Sequence, residues 1–589
     1  MRRPRVALFR GIGLVLAAAL PPRVAFAQDT TATLAAAPPP VRRAVSCNGQ
    51  RVNDIVIHSL APTIAGLRSV PVLADVVRSV HTTTRPDLVR RYLLLSRGDR
   101  CTELRRAESE RILRAQPFLA DASVLAYTSD NDNDAVDLEV RTIDETSTVV
   151  GASVASASPF LTSARAGSSN LGGAGMYLVG NWRHDPHFRD GYGVKFTDYQ
   201  FGALPYILNA EAQQEPLGDH WQLGSAHPFL TDLQRQAWSV RGGANDDYVI
   251  YATDPNQRHA LSVQREYFNV GGLVRVGPPG RLSLFGGSVS GEHENPSEVP
   301  ILITPAGALP DTTTVFNGRY VTHRIARLNG LFGFRDIEFV RVRGFDALTA
   351  TQDIPVGIQL GTQVGRSVAA LGGRDRDVFL SGDLYLGMAK ENTAVRVQLQ
   401  GEGRHSNDDG QWDGVVTSGR AAHYLKISDN QTAITSLEWS SGWRMRIPFA
   451  LTLGEGRGGL PGYSSAMAPG GQRAIMRIED RFVLGQPLGL GDAGVAFFAD
   501  AGRLWASDVP FGESTPLRAS LGFSVLASVP QRSARLWRLD IAFPVNPIGP
   551  RRLEFRMVSN DRTSFFWREP DDILLAREKT TPSSIFNWP

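Results

Sequence analysis

The sequence predicts an all-β transmembrane barrel of about 16 antiparallel strands, preceded by one small α+β domain. Three observations lead there. An export signal opens the chain, a short region after it mixes helix and strand patterns, and the long remainder is built of short alternating segments with hardly a helical pattern.

The export signal comes first. Arg2, Arg3, Arg5 and Arg10 precede an apolar run from Gly11 to Leu20, and Ala25-Phe26-Ala27 offers small residues before Gln28, so residues 1–27 are expected to be a secretory signal peptide. The run is too short to anchor in a bilayer, and no later stretch offers the roughly 18 consecutive apolar residues of a membrane helix. Residues 28–45, with Pro38-Pro39-Pro40, carry little patterned apolar content and are expected to be a linker. Lys and Arg number 62 against 59 Asp and Glu, a net charge of +3, which gives no basic footprint for nucleic acid. In an exported chain the two cysteines, Cys47 and Cys101, are expected to pair. The alternative is two unpaired small core residues.

Residues 46–145 form the expected α+β domain. Val52, Ile55, Val56 and Ile57 mark a strand over 51–58. Thr84 is placed to cap a helix that opens at Pro86 and runs to Leu95. Thr102 is placed to cap a second, with Leu104, Ala107, Ile112 and Ala115 on one face, until Pro117 stops it. Two strands follow, over 122–128 and 135–142. In the second, Val136, Leu138 and Val140 alternate with Asp137, Glu139 and Arg141.

Residues 146–567 form the expected barrel. Val395, Val397 and Leu399 alternate with Arg396, Gln398 and Gln400. Trp537, Leu539, Ile541 and Phe543 alternate with Arg538 and Asp540, and Leu553, Phe555 and Met557 with Glu554 and Arg556. Charges at every second position suit a wet lumen, and the opposite face suits lipid, with Trp439, Trp443, Trp505 and Trp537 as candidate interfacial aromatics. Long loops are expected over 295–316, 405–413 and 454–471. Phe565-Phe566-Trp567 would end the last strand, and the tail, 568–589, would return to the periplasm.

Two stretches carry a family resemblance. Arg90-Arg91-Tyr92-Leu93-Leu94-Leu95, Gly98-Asp99 and the line from Glu110 to Phe118 resemble a POTRA domain, the polypeptide-transport-associated module that precedes barrels of the BamA/TamA outer-membrane assembly family. Leu460-Pro461-Gly462-Tyr463 in a long Gly-rich loop, then Arg473 to Phe482, then Phe497 to Gly502 with Trp505, resemble the final strands of the same family. The resemblance implies a loop folded into the lumen, its arginine paired with inward carboxylates at the positions of Glu479 and Asp500. Here the arginine position is Pro461, so Arg457 or Arg473 is the candidate replacement. A literal Val342-Arg343-Gly344-Phe345 lies too early for that loop and is read as a strand coincidence. The resemblance also implies a seam between the first and last strands, here 149–156 and 553–567.

No enzymatic anchor is present: there is no Gly-x-Ser-x-Gly, His-Glu-x-x-His, Gly-Lys-Ser/Thr or Cys-x-x-Cys. His184, Asp185 and His187 are read as a turn, two histidines being too few for a metal site. Asp130, Asp132 and Asp134 fail a calcium loop at Ala135 and Arg141. The expectation is therefore a non-enzymatic protein of a diderm outer membrane, its N-terminal domain in the periplasm, that assists insertion or translocation of polypeptides. Its partners would be unfolded outer-membrane clients, membrane lipids, and periplasmic chaperones or lipoproteins, with no cofactor, metal or nucleic acid. A two-partner-secretion transporter of one dedicated substrate and a passive pore are the alternatives.

Overall fold

The structure, a computed structural model, describes residues 44–62, 82–129, 134–154, 161–185, 188–254, 257–304, 307–455, 458–489, 491–549, 552–560, 567 and 569–579. The expected signal peptide, nearly all of the linker, Asp130, Asp132, His187, Arg457, Phe565 and Phe566 lie outside the described residues. From Ala44 onward the chain is one compact unit, so the small N-terminal sheet and the barrel belong to the same body.

That sheet contains β1 (Asn48–Leu60), β2 (Arg100–Thr102), β3 (Leu119–Thr128) and β4 (Ala135–Asp144), in the order β2-β1-β4-β3 with β1 parallel to β4. Its two helices are α1 (Pro86–Arg91) and α2 (Glu103–Arg114). The Thr102 hydroxyl accepts from the Arg105 amide at 3.4 Å and so caps α2. Thr84 does not cap α1, and that helix ends at Arg91 rather than Leu95. The Thr84 amide instead donates to Asp144 at 2.7 Å, and its hydroxyl accepts from Asn170 at 2.8 Å, tying the sheet to the barrel. Ile112 and Leu113 pack with Val124, Leu138 and Val140 in the core, while Leu104 stays exposed. Cys47 and Cys101 are disulfide-bonded across a separation of 54 residues.

The barrel opens with short strands: β5 (Thr148–Val154), β6 (Leu161–Ser168), β7 (Met176–Arg183), β8 (Gly191–Asp198), β9 (Ile207–Gln214) and β10 (Asp219–His227). Long ones follow: β11 (Gln236–Asp254), β12 (Gln257–Val276) and β13 (Arg281–Pro296). A small hairpin, β14 (Ile301–Thr304) and β15 (Gly307–Pro310), interrupts before β16 (His323–Arg343) and β17 (Thr351–Ser367). The ring continues with β18 (Asp377–Lys390), β19 (Thr393–Ser406), β20 (Trp412–Ser428), β21 (Gln431–Trp443) and β22 (Gln472–Gly485). It ends with β23 (Asp492–Trp505), β24 (Arg518–Ser528), β25 (Leu536–Pro544) and β26 (Glu554–Asn560). Around the ring neighbouring strands pair antiparallel, β13 directly with β16; the hairpin sits aside, β14 pairing with β12 and β15, and β26 neighbours β5, which closes the barrel.

About 20 strands therefore line the ring, not 16. The expected count assumed one repeat length throughout, whereas β7 to β10 take only 8 or 9 residues each. The loop expected over 295–316 also holds the β14–β15 hairpin. In β25, Arg538 and Asp540 are buried inward while Leu539 and Phe543 are exposed outward, and Leu328, Phe332, Val270 and Leu521 belong to the same outward apolar belt. A belt of that kind is a lipid-facing surface. Trp443 and Trp505 sit at the ends of β21 and β23 on one rim, and Trp537 near the start of β25 on the other. Among the described residues no helix is long and apolar enough to cross a membrane.

Replacing both Cys47 and Cys101 by Ala removes a loop constraint of about 4 kcal/mol. Hydrogen exchange of the β1 and β4 amides is expected to report a loss of that order in local opening free energy, with the barrel ladder unchanged. Equal protection with and without the bond would show that the sheet is held by its packing on the barrel alone.

Candidate functional site in the barrel lumen

The rim that carries β5 is called the near rim and the opposite one the far rim. The lumen is occupied from both, and the small sheet covers the near one. The Tyr92 hydroxyl donates to the Tyr199 carbonyl at 3.0 Å, and Gln200 donates to the Leu88 carbonyl at 3.0 Å. On α2, Arg111 donates to the Leu230 carbonyl at 2.5 Å and Arg114 pairs with Asp353 at 2.8 Å. Glu110 pairs with Arg106, Arg114 and the barrel residue Arg341. Burial alone would raise the Glu110 carboxyl; the guanidinium groups, Arg114 foremost, outweigh it and hold the group below its ordinary value. Beyond β4, Glu145 accepts from the Ser533 hydroxyl at 2.7 Å, closing the clasp beside the last strands.

The near-rim turn after β16 folds inward. Gly344, with φ at 72°, turns the chain so that Phe345 stacks on Tyr424 at 5.6 Å. The Tyr424 hydroxyl donates to Asp346 at 2.5 Å, and Arg481 donates to the Asp346 carbonyl at 2.8 Å and to the Phe345 carbonyl at 3.3 Å. Leu348 packs with Ala496, Leu526 and Leu536. The Val342-Arg343-Gly344-Phe345 run is thus a strand end plus a turn built into the lumen floor. Arg343 donates to the Thr349 carbonyl at 2.8 Å and forms no lumen brace.

The far-rim loop, 444–471, crosses the mouth. On one side the Phe449 amide donates to the Tyr251 hydroxyl at 3.0 Å. On the other the Tyr463 hydroxyl donates to the Ala519 carbonyl at 2.9 Å, and the Ser464 hydroxyl donates to Glu554 at 2.6 Å. Leu460 and Tyr463 are buried in the cluster that holds the loop. Gly462, with φ at 81°, lies against Pro544 where a side chain would be tight. Pro461 is buried beside them.

Of the candidate brace residues, Arg457 lies outside the described residues. Glu479 pairs with Arg481 at 2.8 Å and Arg538 at 2.5 Å, and Asp500 faces Arg477 at 3.8 Å, all from strands. The loop also brings Glu455 within 2.9 Å of Arg556 of β26, outside hydrogen-bond geometry. Arg477 donates to the loop carbonyls of Gly458 and Gly459, at 3.1 and 3.0 Å. Arginines on the wall thus meet acceptors on the loop.

Arg473 turns to a partner the sequence reading missed. The described part of the tail, 569–579, does not lie in near-rim solvent; with Trp567 it climbs the lumen. Trp567 lies under Arg396 at 4.2 Å and beside Tyr385, and its carbonyl accepts from Arg420 at 2.8 Å. Glu569 accepts from Ser418 at 2.6 Å. A short helix, α3 (Asp571–Ala576), follows, and Arg473 pairs with Asp572 at 2.7 Å. Arg265 donates to the Leu575 and Arg577 carbonyls, at 2.8 and 3.0 Å. Glu578 then pairs with Arg327 and, at 2.9 Å, with Arg404. The tail turns inward because Asp572, Arg577 and Glu578 each meet an opposite charge on the wall. Two acids at the head of Asp571–Lys579, an apolar centre and a charged Arg577-Glu578-Lys579 end were its sequence signal.

Among the remaining candidates, His184 meets Asp190 at 2.9 Å across a far-rim turn. No group of three or more His, Cys, Asp or Glu is placed to hold a metal ion among the described residues.

Two outcomes follow from this geometry. Arg481→Met removes the charged donor to the 344–350 turn, worth about 2 kcal/mol, while Glu479 keeps Arg538; protease cleavage and amide exchange at 344–350 are expected to rise by about tenfold or more. The second concerns pH. Burial pushes Glu455 up to about 7, with Arg556 pulling it back down. Because that lies above the ordinary glutamate value of about 4.3, its contribution to loop closure is complete below about 4.3 and lost as pH rises through about 7. Glu455→Gln is expected to flatten the pH dependence of amide exchange across 444–471. A variant that loosens over the same interval as the parent overturns the assignment.

No family model matches the chain, and no curated protein matches it. Among solved structures it is similar to BamA from Haemophilus ducreyi lacking POTRA domains 1–3, at 12% identity over 81% of this chain and 82% of that one, with a TM-score of 0.38. It is similar to CdiB from Acinetobacter baumannii at 12% identity over 87% and 74%, with a TM-score of 0.39. CdiB from Escherichia coli gives 11% identity over 87% and 77%, with a TM-score of 0.44.

Proposed function

We propose that this chain is a non-enzymatic outer-membrane barrel of a diderm bacterium that assists insertion or translocation of polypeptides, in the manner of the BamA/TamA proteins its motifs resemble. The near rim faces the periplasm in this reading, and the small sheet is a POTRA-type module. The observation that supports it best is the clasp of that sheet onto the near-rim turns, from Tyr199 through Asp353 to Ser533, immediately ahead of β5. A sheet held there offers main-chain edges to an arriving extended client beside the strands where the ring begins and ends. Its partners are unfolded outer-membrane polypeptides and lipid, with periplasmic chaperones or lipoproteins as further candidates.

A second reading, a transporter of one dedicated polypeptide through the lumen, is favoured by one observation: the lumen holds a loop and a tail segment together, so it is wide enough for chain to lie within it. Site-specific photocrosslinking in cells separates the two. Probes along β3, β4, β5 and β26 are expected to capture pulse-labelled outer-membrane polypeptides, and depletion is expected to lower their assembly. Crosslinks confined to inward positions and to one exported protein would support the transporter; neither pattern, with an unchanged outer-membrane proteome, would refute both.

A further inference from the structure

We propose that the lumen contains a binding site for a short peptide that presents two carboxylates six residues apart, and that residues 569–579 of this chain are its resident, displaceable occupant. Four wall arginines from four different strands converge on one segment. Arg265 on β12, Arg327 on β16, Arg404 on β19 and Arg473 on β22 are all nearly inaccessible to solvent; Arg473 meets Asp572 of the tail, Arg327 and Arg404 meet Glu578, and Arg265 meets its backbone. Two of them also serve the wall: Arg265 pairs with Glu292 and Arg327 with Asp377. Arg265 further donates to two tail carbonyls, and Arg241 donates to the Lys579 carbonyl at 2.5 Å. Glu402 receives the Glu578 amide at 2.8 Å, and Ser418 accepts from Arg577 at 2.8 Å. The site therefore reads backbone and side chain together, as a peptide site must.

Its occupant is held by polar anchors and little packing. Ile573 and Ala576 rest on the far-rim loop, against Phe449 and Leu453, whereas Leu574 and Leu575 stay exposed. A cavity of about 640 Å³ bordered by Asp572, Leu575 and Phe449 and another of about 280 Å³ bordered by Gln363, Glu402 and Arg577 flank the tail. The segment thus borders open space in the lumen, while the ion pairs that fasten it are themselves buried and little screened by salt. Removing it leaves the wall ladder intact, because no strand of the ring depends on the tail for its hydrogen bonds. The inference rests on the barrel spanning a bilayer and not on the handling of clients, so missing client crosslinks would leave it standing.

The test is conductance of the full chain in planar bilayers, compared with the full-chain variant Asp572→Lys/Glu578→Lys. The parent is expected to conduct little and intermittently, and the variant about tenfold more, since both anchors then face arginine. A synthetic peptide of residues 569–579 added to the variant is expected to restore the block, while the same peptide carrying both lysines is not. A variant that conducts like the parent, or a peptide without effect, overturns the proposal. Amide exchange in the unaltered protein gives an answer independent of the variant: α3 is expected to exchange at least about a hundredfold faster than β16, β19 and β22, and protection equal to those strands would show a fixed structural element in place of a displaceable one.

Discussion

A strand that faces lipid on one side has nowhere to satisfy its main-chain N–H and C=O groups except in its two neighbours, so a membrane sheet must close on itself. That closure is the constraint from which the rest of this molecule follows. A ring of about 20 strands satisfies the backbone completely, but it encloses an interior too wide for single side chains to fill. The interior is instead supplied with chain: the 344–350 turn from one mouth, the 444–471 loop from the other, and the tail threaded between them. The small sheet closes the near rim from outside. Each insertion answers the same geometric deficit.

The chemistry of the wall follows from what fills it. Inward positions alternate with lipid-facing ones, so every charge needed inside must sit at every second residue, as Arg538 and Asp540 do. Arginine predominates because one guanidinium can meet a carboxylate and a backbone carbonyl at once. Arg481 joins Glu479 to the floor turn, Arg473 joins the tail to the loop carbonyl of Thr452, and Arg265 joins Glu292 to the tail. Such pairs add little net stability once desolvation is counted, yet an arginine left without its partner is strongly unfavourable. Their effect is to specify position, so that loop, turn and tail each have one seat.

The alternation that revealed the barrel was legible because it is a local property: Trp537 to Phe543 alternate in the sequence as they do in β25. The helix cap at Thr102 is local too, as is the outward apolar belt. Strand number was not legible, because it depends on where tight turns cut the chain, and the short strands from β7 to β10 carry the same residue types as the long ones. The destination of Arg473 was hidden for a different reason. Its partner, Asp572, lies 99 positions away, beyond the aromatic run that looked like the end of the ordered protein. Leu460 and Tyr463 of the motif are seated in the far-rim loop, where Glu455 also reaches Arg556, while Arg457 lies outside the described residues.

The far-rim loop and the closing point of the ring are connected. The ring closes where β26 neighbours β5. Several of the loop's contacts fall beside it: Tyr463 on the Ala519 and Asn546 carbonyls, Ser464 on Glu554, and Glu455 beside Arg556 of β26 itself. Glu145 reaches Ser533 from the near rim on that side as well. A loop seated beside β26 from the far rim and a clasp on the β24–β25 turn from the near rim hold the strands next to the closing point from both ends, while Phe449 on Tyr251 and Arg114 on Asp353 fix the same two insertions across the ring.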